Sequence, residues 1–288
     1  MTPFLTLYLK IVVVFLMSIP VAVAFGNGVN LQPSYYNNGN VTFGWNVMKK
    51  YSQIKQLRIE IEPDKVVQGK KWIQDAHNQG YQLIVTYHKY VALGSDDENE
   101  IIAAANWWVA NYEYLKPKGG DFTINLINEW GSHSQSAATY SKAYNTAVAI
   151  VRTVYSHDII IDISGWGQNT HVAAQASPML SDTKLILSAH IYPQGNQEGH
   201  YNNNADMDEL KGTGRPCIIG EFGTIGNGGV DVYGVVTHAK SIGFLGVYAW
   251  AWNGDGGDMN MMSPKWVDNP VATTYDENDY FYELIGLL

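Results

Sequence analysis

Eight short apolar or β-branched runs recur along the chain, at residues 28–31, 57–61, 82–86, 122–128, 159–163, 185–190, 217–221 and 245–250. Between them lie segments whose apolar residues return every three to four positions, the spacing of a helix that buries one face. Residues 64–78, 98–115 and 136–155 read this way, and residues 276–288 end the chain with Tyr280, Phe281, Leu284 and Ile285 on one face. Asp97 or Asn99 can cap the second of these helices, and Gly80 can close the first. A strand that is apolar throughout must be covered on both sides, which parallel strands with intervening helices achieve. Eight such units predict a single (β/α)8 TIM barrel with short loops, spanning residues 25–288. A doubly wound open sheet is the structural alternative; the turn after Gly28-Val29-Asn30-Leu31 carries no G-x-G-x-x-G to support it.

Residues 1–24 stand apart from this pattern. Lys10 precedes an unbroken apolar run at 11–17, and Val21-Ala22-Val23-Ala24 is an A-x-A type cleavage site. The segment reads as a secretory signal peptide, because its apolar run is far short of the roughly 20 residues that cross a bilayer. The expected product is secreted and extracellular, free of the membrane after cleavage, and monomeric. Cys217 is the only cysteine, so packing and not an internal disulfide must hold the fold. A formal net charge of −9 with no basic cluster argues against a nucleic-acid partner and suits a neutral substrate. Asn40-Val41-Thr42 is a glycosylation sequon, relevant only if the source glycosylates.

In a barrel the site forms at the carboxyl ends of the strands. The second run, LRIEIEP, alternates Leu57, Ile59 and Ile61 toward the helices with Arg58 toward the barrel interior. The third ends in VTYHKY, with His88 at the rim, and the fourth in Asn128-Glu129. The sixth carries His190 and Tyr192, two apart and hence on one side; the seventh ends in Glu221. The eighth, VYAWAWNG, puts Trp250 and Trp252 on one side by the same alternation. Each ionisable residue alone has a structural reading, such as a salt bridge to Arg58. Together they converge on one mouth.

Two glutamates on different strands can divide acid and base work if their surroundings push their pKa values apart. One, kept protonated by a desolvated setting or a negative neighbour, donates to a leaving oxygen. The other, held ionised by Arg58 and hydrogen-bond donors, attacks carbon. That is the retaining glycosidase arrangement, with carboxyls about 5 to 5.5 Å apart, and the apolar faces of sugar rings stack on Trp and Tyr.

In Arg58, His88, Asn128-Glu129, His190-x-Tyr192, Glu221 and Trp250, taken in order along eight strands, the chain resembles glycoside hydrolase family 5, the cellulase and mannanase family of retaining (β/α)8 enzymes. The resemblance covers essentially all of residues 25–288. It implies that Glu129 is the general acid/base and Glu221 the nucleophile. It also implies that Asn128 binds the sugar 2-hydroxyl, that Arg58 and Tyr192 orient Glu221, that His88 and His190 line the same subsite, and that Trp250 forms its floor in preference to Trp252. No metal or organic cofactor is implied. The implied activity is a secreted endo-β-1,4-glycanase acting on a β-1,4-linked polysaccharide, an endo-β-1,4-glucanase (cellulase) first and an endo-β-1,4-mannanase as the alternative.

The chain departs from the family at Glu60 and Glu62, where apolar residues or proline are usual. Glu62 is expected to face solvent; Glu60 is either a solvent-facing charge or a third carboxylate tuning Glu221. Tyr35, Tyr36, Trp130 and Trp166 either offer platforms for further sugars or pack loops onto the barrel, at least one of Trp107 and Trp108 belongs to the core, and residues 253–260 read as a turn and not a cation loop. Two other classes remain. A non-catalytic carbohydrate-binding barrel would not need both glutamates and Arg58. A phosphate-binding barrel would need basic residues beside Gly226, Gly228 and Gly229, and none stands there.

Overall fold

The computed structural model describes residues 25–194, 196–197 and 200–288; the signal peptide expected at residues 1–24 lies outside them. The apolar runs form β1 (Gly28–Leu31), β2 (Gln56–Ile61), β3 (Gln82–Tyr87), β4 (Thr123–Asn125), β5 (Ile159–Asp162), β6 (Leu185–Ile191), β7 (Cys217–Phe222) and β8 (Val247–Asn253). Every neighbouring pair is parallel, and β8 pairs with β1 to close the barrel. Between them come α1 (Trp45–Met48), α2 (Val66–Asn78), α3 (Glu98–Leu115), α4 (Ala137–Val151), α5 (Thr170–Ala176), α6 (Asn204–Gly212) and α7 (Val232–Ser241), with α8 (Asp279–Leu284) after β8.

Helix ends follow local chemistry. The Asp97 carboxylate accepts from Asn99 N to start α3, Ser136 Oγ accepts from Thr139 N to start α4, and Gly80 leaves α2 with φ +90°. The helix expected over 136–155 ends at Val151, where Arg152 turns to the Asp182 carboxylate and the carbonyls of Tyr155 and His157. The helix expected over 276–288 is shorter too, because Asp276 and Glu277 pair antiparallel with Met262 and Ser263. Among the described residues no helix is long and apolar enough to cross a membrane.

The two faces of the strands bury different chemistry. Leu57, Ile59, Ile61, Leu126 and Ile191 point outward under the helices. Inside, Ile84, Ile160, Ile186, Ile218 and Tyr248 form a separate plug. Two residues further along the same strands, the inward positions change to Thr86, Asp162, Ser188 and Gly220, all at the carboxyl end. The barrel is therefore an apolar stopper beneath a polar cup.

Two irregularities break the alternation. In β7, Ala189 of β6 faces Ile219 but His190 faces Glu221, so two residues answer one and the strand bulges at Gly220. A β-carbon on Gly220 would stand 2.2 Å from Ser188 Oγ. In β8, Val29 faces Ala249 but Leu31 faces Asn253. Trp250 consequently lines the mouth, whereas Trp252 is buried against Phe281 with its indole N–H on the Phe43 carbonyl. The expectation that both tryptophans share one side is corrected by this shift.

Ile160 is fully buried in the inner plug, so Ile160→Ala should leave a cavity costing about 2–5 kcal/mol. Thermal unfolding compared with the parent chain measures it.

Candidate active site

Arg58 sits at the centre of the cup, fully buried on β2. Its Nε donates to Asn125 Oδ1 (3.0 Å), Nη2 to Asn128 Oδ1 (2.5 Å), and Nη1 to Asn30 Oδ1 (3.0 Å), Glu60 Oε1 (2.6 Å) and Glu221 Oε1 (2.8 Å). Asp162 Oδ2 lies 3.6 Å from Nη2. Burial works against this charge, but the Glu221, Glu60 and Asp162 carboxylates outweigh it and hold the guanidinium protonated.

Glu221 and Glu129 meet above it. A carboxylate oxygen of each and a ring nitrogen of His190 lie within 4.8 Å of one another. His190 Nδ1 is 2.9 Å from Glu129 Oε1 and 3.5 Å from Glu221 Oε2, while its Nε2 is 3.5 Å from Asp162 Oδ2. Tyr192 donates its hydroxyl to Glu221 Oε2 at 2.7 Å. The trio is compact enough for an ion, yet the imidazole is driven toward its charged form by Glu221 and Asp162 against the effect of burial. Both Glu221 oxygens already accept hydrogen bonds, so the donor set does not suit a metal.

The two glutamates are pushed apart. Burial, helped by the like charge of Glu221, raises Glu129 above the usual carboxylate range despite the hydrogen bond from His190. For Glu221, burial is outweighed by His190, Arg58 and the Tyr192 hydroxyl, and its pKa falls. Glu129 is delivered by a left-handed backbone, φ +49°, pinned by its own N–H on Asp162 Oδ2 (3.0 Å) and its carbonyl under Gly94 N (2.7 Å).

Asp162 was not singled out from the sequence, although an acid closing the run Ile159-Ile160-Ile161 is an expensive thing to bury without partners. It also accepts from Asn125 Nδ2, and its carbonyl accepts from the Tyr140 and Tyr144 hydroxyls. Asn30 and Asn125, likewise unremarked, complete the cage around Arg58 and, like Asp162, are polar residues on inward positions of apolar strands.

Glu62 is not solvent-facing as expected. Its Oε1 accepts from the Tyr35 hydroxyl (2.6 Å) and Tyr90 N (3.0 Å) and lies 3.0 Å from His88 Nδ1, because the chain folds Tyr35 and His88 over it. Glu60 is fully buried on the inner face, where burial and Glu221 push it up to about 7 against the pull of His88 and Arg58. His88 is raised in turn: burial disfavours its charge, but Glu60 and Glu62 outweigh it.

The mouth opens into a cleft of about 540 Å³ bordered by His88, Asn128, Glu129, Tyr192, Glu221 and Trp250. Trp166 stands on its wall, 40% exposed, packed on Gly94 so closely that a β-carbon there would lie 2.1 Å from the indole. Tyr35 is also exposed at the mouth. By contrast Trp130 is buried with its N–H on the Asp97 carbonyl, Tyr36 bonds the Gly254 carbonyl beside Trp266, and Trp108 is core. In the loop after β8 the Asp255 carboxylate accepts from Trp250, Gly257 and Met259 N–H groups and the Asn260 amide ties the turn, so these residues serve the backbone.

Comparison with known proteins agrees with this architecture. A family model described as Cellulase (glycosyl hydrolase family 5) matches residues 36–256. A mannan endo-1,4-beta-mannosidase of Cellvibrio japonicus is 25% identical over 186 residues, covering 62% of this chain and 43% of its own length. One of Streptomyces lividans is 26% identical over 216 residues, covering 71% of this chain and 54% of its own length. The chain thus spans about half the length of these two relatives. Among solved structures, the catalytic domain of a mannanase from Streptomyces sp. SirexAA-E superposes with a TM-score of 0.70 at 18% identity, covering 92% of this chain and 85% of that one. An endoglucanase from Thermotoga maritima gives 0.64 at 17% identity, covering 91% and 96%. These structural likenesses show the fold.

Asp162 is lowered to about 2: burial opposes its charge, but His190, Arg58 and the Glu129 N–H outweigh it. Its folded pKa lies below its ordinary 3.8, so its stabilisation is present above pH 3.8 and lost as pH falls toward 2, roughly 2 kcal/mol in all. Asp162→Asn should be less stable at neutral pH and lose less stability between pH 4 and 2, as measured by urea unfolding at each pH.

Proposed function

Because the chain belongs to glycosyl hydrolase family 5, we propose that it is an endo-acting β-1,4-glycanase that cleaves by double displacement with retention. One observation carries the reading: Glu129 and Glu221 approach within 4.8 Å at a single mouth and are shifted in opposite directions. That spacing suits a carboxylate acting directly on carbon and leaves too little room for the water an inverting enzyme places between its carboxyls.

In the first step Glu221 attacks the anomeric carbon, the bond to the leaving oxygen breaks, and Glu129 delivers its proton to that oxygen. In the second, Glu129, now a carboxylate, takes a proton from water as the water's oxygen displaces Glu221. Arg58 and Tyr192 keep Glu221 ionised and aimed until it reacts. His190 bridges both glutamates and moderates the swing in charge as the proton passes. Asn128 has its oxygen committed to Arg58, which leaves its amide to donate to the sugar 2-hydroxyl. Trp250 offers the apolar floor and His88 a side wall. An open cleft with Trp166 and Tyr35 exposed on its borders suits attack within a polymer chain.

The substrate is a β-1,4-linked polysaccharide. The sequence favours glucan; the names of the matching relatives support mannan equally, and the cleft geometry favours neither. A polymer of this kind is met outside the cell, which accords with a leader at residues 1–24.

Incubation with carboxymethylcellulose, barley glucan and galactomannan in parallel, with product sizing, should give internal cleavage of at least one; no hydrolysis of any of them ends the proposal. Glu221→Gln should abolish turnover while oligosaccharide binding survives. Glu129→Gln should lose about 10²–10⁴-fold on polysaccharide yet retain the first step on aryl glycosides whose leaving group needs no proton.

A further inference from the structure

Glu60, like Asp162, is a carboxyl of the buried cup that takes no part in the steps above. It is fully buried beside the reacting pair, so its desolvation must be offset by something. Its surroundings are polar on every side. Arg58 Nη1 donates to Glu60 Oε1 at 2.6 Å and to Glu221 Oε1 at 2.8 Å, so one N–H-bearing nitrogen serves both carboxyls. Gln32, after β1, donates Nε2 to Glu60 Oε2 at 2.8 Å, and His88, after β3, brings Nε2 to 3.6 Å of the same oxygen. Glu60 and Glu221 thus meet across Arg58 Nη1, where the charge of each bears on the other.

We propose that Glu60 is a positioning residue for Glu221: the two grip the same Arg58 nitrogen, and Glu60 holds the proton of the pair so that Glu221 is the carboxylate. The inference rests on the reading of Glu221 as nucleophile. Charge counting supports it. Arg58 and His190 balance ionised Asp162 and Glu221, and His88 balances Glu62, while Glu129 is protonated before reaction. A fourth negative charge on Glu60 would have no cation left to meet it. A neutral Glu60 instead offers its O–H to Glu221, and a hydrogen bond to the charged form favours that form.

The titratable groups facing Glu60 are Arg58 on its own strand, Tyr35 after β1, His88 after β3 and Glu221 on β7, and Glu62, just past its strand, meets it only through His88. Its folded pKa near 7 keeps it protonated throughout the acid range in which Glu221 must lose its proton. There its O–H lowers the Glu221 pKa, so its loss moves the acid limb of activity to higher pH.

The test uses the pH dependence of kcat/KM on whichever soluble polysaccharide the parent enzyme cleaves. Glu60→Leu should move the acid limb up by about one pH unit, roughly a tenfold loss on that flank, and leave the neutral plateau within about threefold. Glu60→Gln, whose amide can donate to Glu221 and accept from Arg58, should restore the parent limb. A Glu60→Leu limb coincident with that of the parent, or a Glu60→Gln limb displaced equally, overturns the proposal. Carboxyl carbon NMR supplies a readout that needs no turnover and no apolar variant. The parent should show one glutamate resonance titrating near neutrality that Glu60→Gln lacks, and its absence from the parent overturns the proposal. A parent enzyme with no hydrolysis at all would instead count against the glycanase reading.

Discussion

One buried guanidinium organises this molecule. Arg58 carries five donor hydrogens in a rigid fork, and the cup supplies five acceptors, from four strands and their ends, to meet them. Taking such a charge out of water costs several kcal/mol, repaid only when geometry and pairing are both good. The isoleucine plug beneath it seals the barrel axis, and the negative groups around it make its burial tolerable. The dependence is mutual, since Asp162 and Glu221 would be uncompensated anions without it. A lysine could not replace it, because a single ammonium cannot reach Asn125, Asn128 and Glu221 in one plane.

The unequal titration of the two glutamates follows from where each lies relative to that cation. Glu221 shares Arg58 directly and takes a second donor from Tyr192. Glu129 has no arginine, only His190, and feels the negative charges of Glu221 and Asp162. Asp162 links the halves: it receives the Glu129 backbone N–H, faces His190 and approaches Arg58, so the acid and the carboxylate are oriented by one framework. The left-handed backbone at Glu129 persists because hydrogen bonds on both sides over-determine it.

Around this rigid cup the cleft wall is less closely held. Trp166 rests on Gly94 in a turn where Gly165 and Gly167 also have positive φ, and Tyr35 leans on His88 while bonding Glu62. The acidic pair at Glu60 and Glu62 thus reaches from the buried cup to the rim through His88. On the Glu129 side, by contrast, Trp130 is sealed into the core.

Periodicity and burial determined much of this protein before any folding was considered. Eight apolar runs separated by helical spacing leave few options other than a closed parallel barrel, and charged ends on otherwise apolar strands must gather at one mouth because nowhere else would hydrate or pair them. Arg58, His88, Glu129, His190 and Glu221 were legible for that reason. What tertiary structure alone decided was the aim of particular side chains. The bulge at Gly220 turns Glu221 inward, and the shift in β8 sends Trp250 to the cleft and Trp252 to the core. Asp162 gains its role only from His190 and Arg58, far away along the chain, and Glu62 is drawn from solvent only once Tyr35 and His88 arrive. Alternation along a strand is local and can be read residue by residue; register and pairing are set between strands, by contacts that exist only after the barrel closes.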